Sequence, residues 1–231
     1  MKRLLMVSVL CLLPAALAGQ QRAATDFRAE LISRGVSAEL AGSAAVIADS
    51  AAARGLPARP ILDKAVEGWG KQVAAARILV TLRELSARLE RTRGELSSSG
   101  AQNVDGETLA AAAQARFRGI RADGVARIVA VQASRASVIA GLQVAGALAG
   151  QGLDQGTAAR LVVESLRRGR IVAQMLDLSV AARVLAAVGV SPTQVGQQLL
   201  QGLDAGVTVT GRGTVGVTVP PVLPPGLPIQ P

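Results

Sequence analysis

Between Asp26 and Asp204 the apolar positions recur at helical spacing, interrupted by short turns in which a glycine precedes an aliphatic residue. Phe27 and Leu31 lie at i, i+4 in a segment running to Arg34, with Thr25 or Asp26 placed to cap it. Gly35-Val36-Ser37 then stops one helix and starts the next: Gly is the terminator, Ser37 the N-cap, and Glu39 falls in the first turn. Leu40, Ala44, Ile47 and Ala51 carry the stripe to about Arg54. Gly55-Leu56-Pro57 repeats the stop and restart, with Pro57 pre-set for a first helical turn, and Ile61, Leu62, Ala65, Val66 and Trp69 form the next stripe. From about Val73 to Leu96 runs the longest amphipathic segment. Ile78, Leu82, Leu85 and Leu89 make its seam, and Arg and Glu crowd the other faces, the signature of a surface helix packed on its neighbours.

The second half reads the same way. An Ala-rich helix is predicted from about Thr108, a turn at Gly119-Ile120, and a helix around Ala122–Ala133 with Val125, Ile128 and Val129 on one side. Ser137–Ala149 is apolar nearly all round and too short for a bilayer, which needs about 20 residues, so a buried central helix is expected. Gly146 and Gly150 within it mark close packing or a helix end. Further turns fall at Gly152-Leu153-Asp154, Gly169-Arg170-Ile171 and Gly189-Val190-Ser191-Pro192. Shifting the chain by 97 positions lays Gly55-Leu56 on Gly152-Leu153, Val66-Glu67 on Val163-Glu164, and Lys71 on Arg168. The fold class this predicts is all-α, with internally duplicated short helices in a bundle or short solenoid-like array. Its halves are 19–96 and 108–204, joined by a Ser/Gly-rich linker at 97–107. Residues 205–231 change character: the Val/Thr alternation of 207–219 is compatible with a small hairpin or a flexible tail, and Pro220–Pro231 with an extended end.

Met1-Lys2-Arg3, the apolar run Leu4–Leu13 and Ala16-Leu17-Ala18 have the form of a cleavable signal peptide, residues 1–18, so export to the periplasm or beyond is expected. Cys11, the only cysteine, lies inside that apolar run and lacks the context of a lipid-anchor site. Without it the chain has neither disulfide nor thiol, so stability must come from a packed core. Loss of Lys2 and Arg3 with the leader lowers the formal charge from +9 to +7, almost all of it supplied by Arg. Such a charge suits an anionic partner: an envelope polymer, lipid headgroups or nucleic acid. With aromatics at 1% of the chain, the core must be Ala, Leu, Val and Ile.

The inventory of reactive groups is short. The chain has no His and no Tyr, which excludes His-dependent triads and HExxH sites, and no cysteine lies beyond the leader to build a zinc cluster. No metal or cofactor is expected. Glu67 and Glu164, matched by the 97-residue shift, are the one carboxylate pair worth weighing for glycoside hydrolysis, but a duplicated helix position explains them, and the aromatic platforms of such sites are missing. GRGTVG at Gly211–Gly216 spells G-x-G-x-x-G but precedes Val-Thr-Val-Pro-Pro rather than a helix, so it is no dinucleotide loop. The candidate binding residues are cationic: Arg116, Arg118 and Arg121 in one cluster, Arg167, Arg168 and Arg170 in another, and Lys71. On neighbouring repeats these clusters would form an anion-binding strip. Nucleic acid is not the expected partner, since no known nucleic-acid-binding module appears and the leader directs the chain away from most nucleic acid.

The run Glu67-Gly68-Trp69-Gly70-Lys71-Gln72-Val73, with Ala76-Arg77-Ile78 downstream of a Gly-Leu-Pro turn, resembles a pattern of uncharacterised exported bacterial proteins. GLDQGTAARLVVESLRRG resembles their second half. The resemblance implies an exported helical protein and carries no activity or site residues with it. The expected function is therefore a non-enzymatic binding or scaffold protein of the cell envelope, contacting protein or an anionic polymer. The alternatives are a carboxylate hydrolase acting on envelope glycans, and a peripheral membrane protein using the apolar 137–149 stretch. The second of these requires that stretch to be exposed.

Overall fold

The computed structural model describes residues 26–205; the expected signal peptide and the Val/Thr/Gly/Pro segment lie outside the described residues. Every regular element among them is helical. After α1 (residues 26–33) come α2 (Ala38–Ala53), α3 (Arg59–Gly70), α4 (Ala75–Ser98), α5 (Gly106–Phe117), α6 (Ala122–Val129), α7 (Arg135–Gly150), α8 (Gln155–Arg167), α9 (Val172–Ala187) and α10 (Pro192–Asp204). The chain forms two compact units, and the division falls inside α5, between Ala113 and Gln114.

One local device builds most of the corners. At Gly35, Gly55, Gly119, Gly152 and Gly189 the backbone is left-handed, which glycine adopts at no steric cost, and the following aliphatic residue closes the helix end. Its N–H donates back to the carbonyl five residues earlier: Leu56 to Ala51, Ile120 to Ala115, and Leu153 to Leu148. The same aliphatic side chain is then buried at Val36, Leu56, Ile120 and Leu153, so these four turns also anchor the core. At Gln72 the slot is filled by a non-glycine residue with φ 56°.

Helix starts are capped less uniformly. Asp105 accepts from the N–H of Glu107 and Thr108, Asp154 from Thr157, and Ser191 from Gln194. Ser37 holds the N-cap position of α2 but its side chain makes no capping bond. Pro57 stands before α3 rather than in it; Pro60 occupies the first turn instead, because the helix begins at Arg59.

In the first unit α2 packs on α3 and α4, and α3 on α4. Leu31, Leu40, Ile61, Leu62, Leu82, Leu89 and Leu96 are fully buried there. The seam of α4 consists of Ile78, Leu82, Ser86, Leu89, Thr92 and Leu96, so two hydroxyls lie in a line expected to be aliphatic, and Leu85 is only half-buried. In the second unit α7 packs on α8 and α9, α6 on α7 and α8, and α10 on α8 and α9. Ile120, Ile128, Leu142, Leu148 and Leu161 fill its core. The 137–149 stretch lies within α7 and is buried along most of its length, from Val138 to Leu148, which removes the peripheral-membrane reading built on it. Among the described residues no helix is long and apolar enough to cross a membrane.

The 97-residue offset also relates several helix bounds. Helix α7 begins and ends 97 residues after α2, α9 begins 97 after α4, and α8 ends 97 after α3. Buried Ala48, Ala51, Leu56 and Ala65 correspond to buried Ala145, Leu148, Leu153 and Val162. Pairings α2 with α3 and α2 with α4 recur as α7 with α8 and α7 with α9. The units diverge at Thr92 and its counterpart Gly189: α4 runs on to Ser98, while α9 stops and turns into α10.

Candidate functional site

The cationic residues singled out by the sequence are largely committed to local structure. Lys71 Nζ lies 2.6 Å from Glu67 Oε1, and Lys64 Nζ lies 2.8 Å from Oε2 of the same carboxylate. Hydrogen bonds from Lys64 and then Lys71 hold the Glu67 carboxyl at a pKa of about 2, so it stays ionised at any physiological pH. Its counterpart Glu164 binds Arg168 at 2.9 Å, and Arg168 also reaches Asp204 at 2.9 Å and the Leu203 carbonyl. Arg168 thereby ties the end of α10 to the end of α8, and these contacts raise its pKa. Arg121 pairs with Asp123 at 3.2 Å. Arg116 donates to the Ile120 carbonyl at 2.8 Å, closing the α5–α6 turn. Arg170 is partly buried, which lowers its pKa.

The two arginine clusters lie toward opposite ends of α8. Arg121 lies close enough to Asp154, the N-cap of α8, to lower that carboxyl's pKa, after the larger effect of the bonds from Thr157. Arg167 and Arg168 lie at the opposite end of α8. Thirteen helical residues separate the ends by about 20 Å at 1.5 Å per residue, more than one small anion spans.

Arg118 and Arg167 are different. Both are exposed and neither makes an ion pair among the described residues. Arg118 lines a groove of about 320 Å³ whose walls are Gln114 and Ala115 of α5, Leu142, Gln143, Val144 and Ala147 of α7, and Leu176 and Ser179 of α9. Its position depends on Gly146: a Cβ there would come 2.9 Å from Arg118 Cδ, so the bare glycine lets the arginine stem lie across α7.

Beside the groove, α9 shows solvent a row of aliphatic side chains. Leu176, Val180, Val184 and Val188 are 45%, 36%, 47% and 72% exposed, with Ile171 also exposed at the helix start. Four-residue spacing places them in one ridge. The opposite side of α9 carries Met175, Leu178, Ala181 and Ala182 into the core. The helix is apolar on both sides, so its sequence shows no periodic contrast, and the ridge could not be singled out by periodicity. At the matched positions of α4, the residues 97 earlier than Val180 and Val188 are Arg83 and Arg91.

A second groove, of about 540 Å³, lies between α2 and α4 in the first unit. Arg54 is its organiser: it donates to Ser50 Oγ at 3.0 Å and Ser86 Oγ at 2.9 Å, and lies 3.6 Å from Glu90. With Ser43 and Arg83 also on the wall, three hydroxyls and three charged groups stand beside Val46, Ile47 and Ala87. The described residues contain no cluster of His, Cys, Asp or Glu able to hold a metal ion.

Charge separates the units further. The described residues of the first unit carry eleven basic and eleven acidic side chains; those of the second carry ten and five. The excess of +5 thus sits on the unit with the apolar ridge.

Comparison with protein-family models, with curated proteins and with solved structures finds no match.

Proposed function

We propose that this chain is a non-enzymatic exported binding or scaffold protein of the bacterial cell envelope, contacting protein or an anionic polymer. The observation that carries the reading is the outer face of α9: four aliphatic side chains in one exposed ridge on a unit whose other apolar side chains are mostly packed. Isolated exposed aliphatics are ordinary, but a contiguous row marks a contact surface. The cationic excess of the same unit supports an anionic or acidic partner. Export rests on the leader pattern at 1–18.

The hydrolase alternative gains nothing from the geometry of its carboxylates. A glycosidase acid needs a raised pKa, whereas Glu67 is held at about 2, and Glu164 is engaged by Arg168. The test of the binding reading is affinity capture from envelope extracts with the full chain, washed first at low and then at high salt. A defined partner that survives high salt supports it. Complete loss at high salt reduces the surface to general anion attraction, and no capture at low salt removes the reading.

A further inference from the structure

We propose that the groove between α5, α7 and α9, with the adjoining ridge, docks an amphipathic helix whose apolar face is flanked by carboxylates. This rests on the binding reading above and names its partner chemistry.

Three observations converge on that face. The groove is concave and walled by three helices, and it opens directly onto the ridge at Leu176, which belongs to both. A partner helix with apolar residues at i, i+4 and i+7 would set them against Leu176, Val180 and Val184. Two cations flank this path. Arg118 stands on the groove wall, and Arg183 follows Ser179 by one turn on the groove side of α9. Neither makes an ion pair among the described residues, unlike Arg121 and Arg168. Asp177 is the one acidic residue of α9, half-buried on the other side of the ridge.

Charge also selects among occupants. A second copy docking through the same face would bring one +5 unit against another. The chain's own residues 206–231 contain Arg212 and neither Asp nor Glu, so they offer no acidic side chain to those two arginines. A lipid surface is planar, whereas the apolar surface here continues into a groove. An acidic amphipathic helix meets all of these conditions.

The test is a titration of the full chain with two synthetic helices sharing one Leu/Ile face, one flanked by Glu and its twin by Lys. The Glu-flanked helix is expected to bind and the Lys-flanked twin not. Arg118→Glu with Arg183→Glu should weaken binding by about tenfold or more, and Val184→Glu should abolish it. These side chains are exposed, and circular dichroism checks that each variant remains folded. Gly146→Ala keeps every charge while displacing Arg118, and should weaken the Glu-flanked helix alone. Equal binding of both twins, indifference to the arginine changes, or no binding would overturn the proposal. So would association with phosphatidylglycerol vesicles in place of the peptide, or self-association removed by Val184→Glu. If the doubly substituted chain captures the same extract partner as the native chain, this face is wrong and the binding reading stands. If neither chain captures anything, the binding reading itself fails.

Discussion

Gly141 of α7 lies directly over Val162 of α8: a Cβ built on Gly141 would stand 2.8 Å from Val162 Cγ1. The two helices approach so closely because one has no side chain at the crossing. Glycine inside a helix costs about 1 kcal/mol relative to alanine, so this position gives up propensity for proximity. Gly141→Ala is expected to lose about 1–3 kcal/mol from overpacking, outweighing the propensity gain. Gly94 in α4 has nothing within 4 Å, and Gly94→Ala should gain up to about 1 kcal/mol. Chemical denaturation of the pair measures the contrast; equal shifts in one direction would contradict the crossing.

Gln72 offers a stability gain of a different origin. It holds the left-handed slot that Gly169 holds at the matched corner, with φ of 56° against 67°. A left-handed conformation costs a residue with a Cβ about 1 kcal/mol. Gln72→Gly should therefore stabilise the chain by several tenths of a kcal/mol, after the larger entropy of glycine in the unfolded chain is subtracted. A fall in the melting temperature would refute this.

Glu67 should titrate near pH 2, well below the ordinary 4.5, because Lys64 and Lys71 stabilise its ionised form. A depressed carboxyl pKa favours the fold above the unfolded value, so the benefit is complete above about 4.5 and disappears as pH falls through about 2. The carboxylate is 43% exposed, which limits the whole effect to about 1 kcal/mol or less. Carbon-detected NMR titration reads the midpoint directly, and Lys71→Ala should move it upward. An ordinary midpoint in the native chain would dismiss the paired arrangement.

Arg168 joins the ends of α8 and α10 through Asp204 and the Leu203 carbonyl. Arg168→Ala should loosen that tie, and should speed amide exchange in α10 before any other helix of its unit. Uniform acceleration across the unit would contradict this local role.

Much of the fold was legible because its corners are chemical: a glycine, a buried aliphatic residue and a restart. The Gly55 and Gly152 turns and the 97-residue correspondence are read from the chain and recur in the helix spans. The spread of arginines says less, because nearness along the chain puts Arg116–Arg121 and Arg167–Arg170 in separate turns at opposite ends of α8. Periodicity fails for α9 for another reason. With Met175 and Leu178 on one side and Val180 and Val184 on the other, hydropathy alone does not reveal which side the fold covers. Ser86 was hidden in the α4 seam because its partner, Arg54, comes from a helix 32 residues away.

The central claim is that the ridge and groove of the second unit form the binding face. Hydrogen–deuterium exchange on the full chain, alone and with its captured partner, tests it most directly. Slowed exchange confined to α5 after Gln114, α7 and α9, with the first unit unchanged, is the predicted result. Protection centred on α2 and α4, around Arg54 and Ser86, would contradict it and move the function to the groove of the first unit.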